Sequence, residues 1–194
     1  MDHAAVVDHP LVRHAHEERA HGRGHHDGLG LLDAQRALAL DPHNAVNVLS
    51  VAICYGKLAG FSDTRTKLEY SRFVKEYAEQ AIALKPDYDY AHHVRGRWNY
   101  EVATLGAGTR FLVSVIYGGL PDASTAEAVR QLRRAVEISP TLPAHRVELG
   151  LALLADGQRD AARQTLEAAL AMHKCEKYDD EAFARARAGL AKLR

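Results

Sequence analysis

Three stretches decide the fold, and they end alike: Ala37-Leu-Ala-Leu-Asp-Pro42, Ala81-Ile-Ala-Leu-Lys-Pro86 and Ala135-Val-Glu-Ile-Ser-Pro140. Each has the residues of an amphipathic helix, followed by a proline that cannot continue the helix because it lacks a backbone N–H group. A second helix-like run begins just after each proline. Because one helix–stop–helix unit cannot bury its apolar face alone, the pattern predicts units that stack on one another.

The unit that follows Pro140 gives the repeat its register. Leu149-Gly150 stands in its first helix, and Ala162, Leu166 and Ala169 form a small–large–small pattern in its second. These offsets are those of the 34-residue tetratricopeptide repeat (TPR), in which small residues lie where two paired helices cross closely. The sequence therefore predicts an all-α fold, a TPR-like right-handed superhelix of antiparallel helix pairs.

The spacing of the prolines departs from a regular array, since Pro42 to Pro86 is 44 residues and Pro86 to Pro140 is 54. The first excess predicts a longer connection with Asp63 or Thr64 as a helix cap. The second contains an apolar stretch at 110–117, then a Gly-Gly-Leu-Pro breaker and a cap at Ser124, which together predict an inserted helix. Residues 177–194 form a last amphipathic pattern, as a capping helix needs.

Composition limits the classes of function. The 194 residues carry 25 Lys and Arg against 25 Asp and Glu, so no overall charge attracts nucleic acid or an anionic membrane. No window of about 18 apolar residues predicts a membrane span, and the start has no basic region typical of a signal peptide. We therefore expect a soluble, cytoplasmic protein, although a leader or anchor could precede this start.

The first 28 residues differ in kind from the rest. They hold seven of the twelve histidines and several glycines, so we predict a weakly ordered segment over 1–28 and one TPR-like domain over 29–194. The spacing between the histidines at 16 and 21 is one residue too long for the helical zinc motif H-E-x-x-H. Adventitious or no metal binding is the favoured interpretation, and no cofactor is expected. The metal-ligand candidates are His14, His16, His21, His25 and His26.

The block Gly96-Arg-Trp-Asn-Tyr-Glu-Val-Ala103, followed by Arg110-Phe and the Gly-Gly-Leu-Pro turn, resembles the regulator of microtubule dynamics family. Its members are divergent TPR proteins, both eukaryotic and bacterial, and this chain looks like a bacterial-type member. The resemblance runs from about Leu31 to Leu193. It implies an all-α superhelix that acts in protein association. The family's first helix pair should be apolar, whereas the start of this chain is rich in His and Gly.

In this repeat class, ligands usually lie against the first helix of each pair, at its positions 2, 5, 9 and 12. In the central unit these positions hold Tyr90, His93, Arg97 and Tyr100, a polar and aromatic set able to hold a peptide by stacking and charge-assisted bonds. The flanking units place largely apolar residues there. The alternative is that the inserted helix fills the groove and these residues belong to the core.

Five further residues are candidates for either groove or packing roles. Trp98 is expected to pack between repeats with its indole N–H bonded locally. The others are Glu101, Arg110, Phe111 and Tyr117.

The functional prediction is a non-enzymatic scaffold or adaptor of about nine helices that binds a partner protein segment on its concave face. No nucleophile elbow, P-loop or dinucleotide fingerprint is present, so an enzyme is not expected. One alternative is a carrier of a small apolar ligand or lipid in a groove near 108–120. Another is a metal-binding protein that uses the N-terminal histidines. A degenerate first repeat could leave an apolar face that a second copy covers, which would give a homodimer.

Overall fold

The computed structural model describes residues 22–106, 108–109, 113, 115, 119 and 122–194, with side chains from residue 28 onward. Regular structure in these ranges is helical throughout. The helices, numbered in chain order, are α1 (Gly22–Leu40), α2 (Ala45–Ala59), α3 (Thr64–Leu84), α4 (Asp89–Ala103), α5 (Thr125–Ile138), α6 (Pro143–Ala155), α7 (Arg159–Leu170) and α8 (Asp179–Ala191).

Polar side chains fix where three of the helices begin, because they accept hydrogen bonds from N–H groups that have no partner inside the helix. Asn44 Oδ1 accepts two such bonds, at 3.0 and 3.4 Å, from the first turn of α2. Asp63 Oδ1 accepts two at 2.8 and 3.1 Å from α3, and Ser124 Oγ accepts one at 3.1 Å from α5. The cap predicted at Ser124 is confirmed, and of Asp63 and Thr64 it is Asp63 that caps α3.

The chain divides into two compact units, Met1–Tyr77 and Ala78–Arg194, and the division falls within α3. In the first unit α1 packs against α2. The ring of Tyr55 lies 4.8 Å from that of Phe73 and 5.2 Å from that of Tyr70. The fully buried residues of α2 are aliphatic: Val48, Leu49, Val51 and Ala52.

The second unit contains the pairs α4–α5 and α6–α7, each brought close by a glycine. A Cβ built on Gly96 would lie 2.6 Å from Cγ of Leu132, and one built on Gly150 would lie 2.6 Å from Cγ of Leu166. Real Cβ atoms do not approach other carbon atoms so closely, so both positions require glycine for the helices to cross at this distance. The predicted role of the Leu-Gly position is confirmed.

Helix α8 covers the last pair by packing against α6 and α7. It buries Ala182, Phe183 and Ala186, and Gly189 lets Leu151 approach its backbone. The predicted capping helix is confirmed, with bounds of 179–191 inside the expected 177–194.

The start of α1 differs from the sequence-based prediction, and most of the segment after α4 lies outside the described residues. Helix α1 begins at Gly22, so residues 22–28 are helical although the glycines there predicted irregular structure. Most of the inserted helix predicted over 110–117 lies outside the described residues. Of its described positions, Val113 is buried and Val115 is exposed.

Candidate functional site

The four predicted groove residues, Tyr90, His93, Arg97 and Tyr100, lie along one side of α4 with spacings of three and four residues. We call them the α4 row. All four are half-buried. Because residues three and four apart are neighbours on a helix surface, their side chains form one continuous strip. Each contacts or faces groups from α6, α8 or the segment before α8.

Tyr90 opens the row. Its hydroxyl donates a hydrogen bond to the carboxylate of Glu176, and its ring stands edge-on to the imidazole of His145 with 5.2 Å between ring centres. Burial raises the pKa of the Tyr90 phenol, and the bond to Glu176 raises it further. The hydroxyl therefore stays protonated and remains a hydrogen-bond donor.

His93 belongs to a chain of three titratable groups. Its Nδ1 lies 2.9 Å from Nδ1 of His145, whose Nε2 lies 3.1 Å from Oδ2 of Asp89. The His145 side chain is fully buried. Burial lowers the pKa of His93 to about 3, and the nearby His145 and Arg97 act in the same direction.

Asp89 is the negatively charged member of these three groups. Burial alone would raise the pKa of the carboxyl, but hydrogen bonds from Ser139 and His145 bring it below its usual value. Asp89 is therefore ionised at neutral pH and orients His145, whose Nε2–H donates to it.

Charged groups continue the row toward the end of α4. Arg97 Nε donates to Glu101 at 2.9 Å in a largely exposed ion pair. Beside it, the buried carboxylate of Glu148 accepts a hydrogen bond from Arg185 of α8. Burial opposes the charge of Arg97, but Glu148 and Glu101 outweigh it and raise the pKa of the guanidinium. The row thus contains a permanent cation between two tyrosines.

Tyr100 is the last residue of the row and packs against the buried hydrophobic core of the second unit. Burial raises the pKa of its hydroxyl, and the carboxylates of Glu148 and Glu101 raise it further. Tyr100 therefore offers an aromatic surface and a neutral hydrogen-bond donor at neutral pH.

Trp98 lies away from the row. It is 5% exposed, and the guanidinium of Arg95 lies 4.8 Å from its ring centre. Arg95 in turn pairs with Glu79 at 2.7 Å. This burial favours the predicted packing role of Trp98. Arg95 stands at a position where the repeat usually has leucine, and there it stacks on Trp98 and pairs with Glu79.

The sequence did not single out three partners of the row: Asp89, His145 and Glu148. All three are buried polar residues in the first helices of two repeats. His145 lies 52 residues from His93 and 56 residues from Asp89 along the chain. The available signal was an imidazole and a carboxylate, His145 and Glu148, three residues apart near the start of α6. Pattern periodicity assigns such positions to the core and does not pair them.

Other candidates cannot be placed in a site. Arg110, Phe111 and Tyr117 lie outside the described residues, as do His14, His16 and His21 and the side chains of His25 and His26. Among the residues whose side chains are described, no three His, Cys, Asp or Glu groups are arranged to hold a metal ion. None of the described helices has the length and the apolar character needed to cross a membrane.

A concavity of about 480 Å³ lies along α5 and is rich in arginine. Arg130 pairs with Glu127 at 2.7 Å, and Arg134 pairs with Glu137 at 3.4 Å, each within α5 itself. These are exposed pairs three residues apart, as on ordinary solvated helix faces. The α4 row is therefore the better candidate, since its side chains are held by contacts from other elements.

The sequence model of one family, described as Regulator of microtubule dynamics protein 1-3, matches residues 13–194. Relatives include the human Regulator of microtubule dynamics protein 2, 26% identical over 116 residues, and the Xenopus laevis protein 3, 32% identical over 111 residues. These matches cover 60% and 57% of this chain but only 28% and 24% of the relatives. The chain thus corresponds to about a quarter of their length.

Solved structures with the same fold are TPR proteins of low sequence identity. A thermophilic TPR protein of Thermus thermophilus has a TM-score of 0.58 and 18% identity, with 97% of this chain and 90% of that chain covered. The MamA protein has a TM-score of 0.52 and 15% identity, with 94% and 82% covered. The all-α, TPR-like fold predicted from the sequence is confirmed.

Proposed function

Because the chain belongs to the Regulator of microtubule dynamics protein 1-3 family, as the sequence resemblance predicted, we propose that it is a non-enzymatic scaffold whose α4 row binds a segment of a partner protein. The family and the TPR-like fold are both consistent with a protein-interaction scaffold. The assignment of the binding face to the α4 row is the finer part of the proposal.

The observation that carries the proposal is the chemistry of the row. Tyrosine and arginine are the residue types that most often dominate binding energy at protein interfaces. Here two tyrosines, an arginine and a histidine stand on one strip and remain partly exposed. A segment lying along the strip could stack on the rings and accept hydrogen bonds from the guanidinium and the hydroxyls.

The second support is that the row is already ordered. Glu176 holds the hydroxyl of Tyr90, His145 holds His93, and Glu101 holds Arg97. A side chain whose conformation is fixed before binding loses less entropy when a partner arrives, typically about 0.5–1.5 kcal/mol less for each flexible side chain. Three of the four side chains of the row are therefore held in place before a partner binds.

The neighbouring repeat does not offer an equivalent surface. The predicted groove positions of α6 are Ala144, Val147, Leu151 and Leu154. Val147 is fully buried, and the other three pack against the apolar core of the unit. These residues stabilise the fold, so in the second unit the polar binding chemistry is concentrated on α4.

The test compares two double variants of the full chain as baits in extracts of the cells that carry the gene. Arg97→Ala with Tyr100→Ala removes the centre and end of the row. Arg187→Ala with Tyr178→Ala removes the same two residue types from exposed positions. We expect proteins retained by the wild type and the control to be lost several-fold from the row variant, by quantitative mass spectrometry.

The proposal is wrong if the two double variants, both folded by circular dichroism, retain the same proteins as the wild type. Native mass spectrometry of the freshly purified chain separates the scaffold from the two alternatives. A scaffold gives the mass of the polypeptide alone. A lipid adduct would favour the carrier, and a metal adduct that disappears on deletion of residues 1–28 would favour the N-terminal histidines.

A further inference from the structure

Two consecutive histidines connect α4 to two different helices of the second unit. His92 is buried and faces Gln131 of α5, with 2.7 Å between its Nδ1 and Oε1 of the amide. His93 is half-buried and faces His145 of α6, with 2.9 Å between the two Nδ1 atoms. Consecutive helical residues point about 100° apart, so one helix can be held on two sides at once.

His92 has acceptors at both ring nitrogens. Its Nε2 lies 2.9 Å from the carbonyl oxygen of Pro86. Its Nδ1 meets the oxygen of the Gln131 amide, because the nitrogen of that amide donates to Glu127 at 2.8 Å. Carbonyl and amide oxygens only accept hydrogen bonds, so both contacts form only when His92 carries hydrogen on both nitrogens and is an imidazolium. A neutral ring loses one of the two bonds.

The contact of His93 has the opposite requirement. Two Nδ1 atoms 2.9 Å apart share a hydrogen bond only if one bears hydrogen and the other does not. His145 also donates from Nε2 to Asp89, which uses its other nitrogen. The pair therefore tolerates one imidazolium at most. If both rings are protonated, two N–H groups and two positive charges face each other and the contact breaks.

We propose that His92 and His93 make α4 a proton-responsive element, held fully on both sides only while His92 is charged and the His93–His145 pair carries at most one positive charge. Acidification releases α4 from α6, and alkalinisation weakens its contact with α5. We expect the acid transition below the ordinary histidine pKa of 6.5, because burial lowers the pKa of His93.

The surrounding charges fit this arrangement. On the His93 side, Arg97 and Arg185 disfavour a positive charge on the His93 ring. Asp89 has the opposite effect, and it accepts a hydrogen bond from His145. On the His92 side, Glu127 lies beyond the Gln131 amide and is itself bound by Arg130 with two bonds of 2.7 Å. The guanidiniums near His93 thus favour its neutral ring.

Trp98 reports on α4 without any added label, because it is the one tryptophan of the chain, lies on this helix and is 5% exposed. We expect its emission maximum to be constant over a middle range of pH and to shift to the red on both sides. His93→Gln should remove the acid shift, because a glutamine cannot take up a proton. His92→Gln should remove the alkaline shift, and His173→Gln, which changes a histidine outside α4, should leave both unchanged.

Nitrogen NMR of the imidazole rings reads the proton states directly and does not depend on how well the variants fold. In the wild type at pH 7, His92 should show two protonated nitrogens, because both of its ring nitrogens face acceptor oxygens. The proposal is overturned if His92 is neutral at pH 7, or if the acid shift of Trp98 is the same in His93→Gln as in the wild type. Neither readout requires a partner, so this inference can fail while the proposed binding function stands, and the reverse also holds.

Discussion

The two helix pairs of the second unit share one packing geometry and differ in what they bury. Gly96 in α4 and Gly150 in α6 each bring a leucine of the paired helix to the same 2.6 Å from a built Cβ. The buried residues of α6 are mostly apolar, and its two buried polar residues, His145 and Glu148, bond to groups of α4 and α8. In α4, by contrast, the buried residues include Asp89, His92, Arg95 and Asn99.

This difference shows that the repeat spacing and the chemistry of a repeat are set by different residues. Glycine and alanine fix how closely helices approach, and they leave the remaining positions open to polar groups. A buried polar group costs free energy unless it is hydrogen-bonded, so α4 maintains a more extensive network than α6 does. We attribute that network to the binding surface that α4 presents.

The largest effect should come from the feature the pairs share. Gly96→Ala and Gly150→Ala each force a methyl group into a leucine that has backbone close behind it. Overpacking of this kind costs about 1–3 kcal/mol, which outweighs a helix-propensity gain of about 1 kcal/mol. Urea unfolding should show both variants destabilised by similar amounts, with Gly106→Ala near wild type because nothing lies within 4 Å of its Cβ. A tolerated Gly96→Ala would mean that the α4–α5 pair is not packed as the α6–α7 pair is.

The free energy of unfolding should depend on pH through His93 of α4. Burial lowers the pKa of His93 in the folded state below its usual 6.5, so the unfolded chain takes up a proton first as pH falls. The contribution of His93 is therefore complete above about pH 6.5 and declines as pH falls toward the folded-state pKa, by up to about 1.4 kcal/mol per pH unit.

The measurement is the urea unfolding free energy of wild type and His93→Gln between pH 7 and pH 5. The wild type should lose up to about 2 kcal/mol more than the variant over this range. His173→Gln provides the control outside α4 and should follow the wild type. Parallel curves for wild type and His93→Gln would remove His93 from the account of pH sensitivity.

A smaller effect should separate the buried from the exposed ion pair beside the row. Glu148 is 3% exposed and is bound by Arg185, whereas Glu101 is 59% exposed and is bound by Arg97. Glu148→Gln leaves a partly buried guanidinium without its charge partner and should cost about 1–3 kcal/mol. Glu101→Gln should change stability by less than about 0.5 kcal/mol, since exposed pairs contribute little. Thermal unfolding of the two variants side by side tests this order, and equal losses would contradict it.

The sequence predicted the parts of this molecule that depend on local pattern. Leu149-Gly150 and the Ala162, Leu166 and Ala169 pattern identified the repeat, and Ser124 identified a helix start. The positions of the α4 row followed from the same register. The contacts of His145 did not, because its partners lie 52 and 56 residues away and only folding brings the rings and the carboxylate together. The helical start at Gly22 was also missed, because glycine-rich composition disfavours a helix when judged locally.

The central claim is that a partner segment lies on the α4 row, and site-specific photo-crosslinking tests it most directly. A photoreactive phenylalanine analogue is placed at Tyr100 in the row, or at Tyr178, which is 57% exposed and lies outside it. After irradiation in the cells that carry the gene, we expect a discrete crosslinked protein from position 100 and none of that mass from position 178. Crosslinks of equal yield at both positions, or at 178 alone, would contradict it.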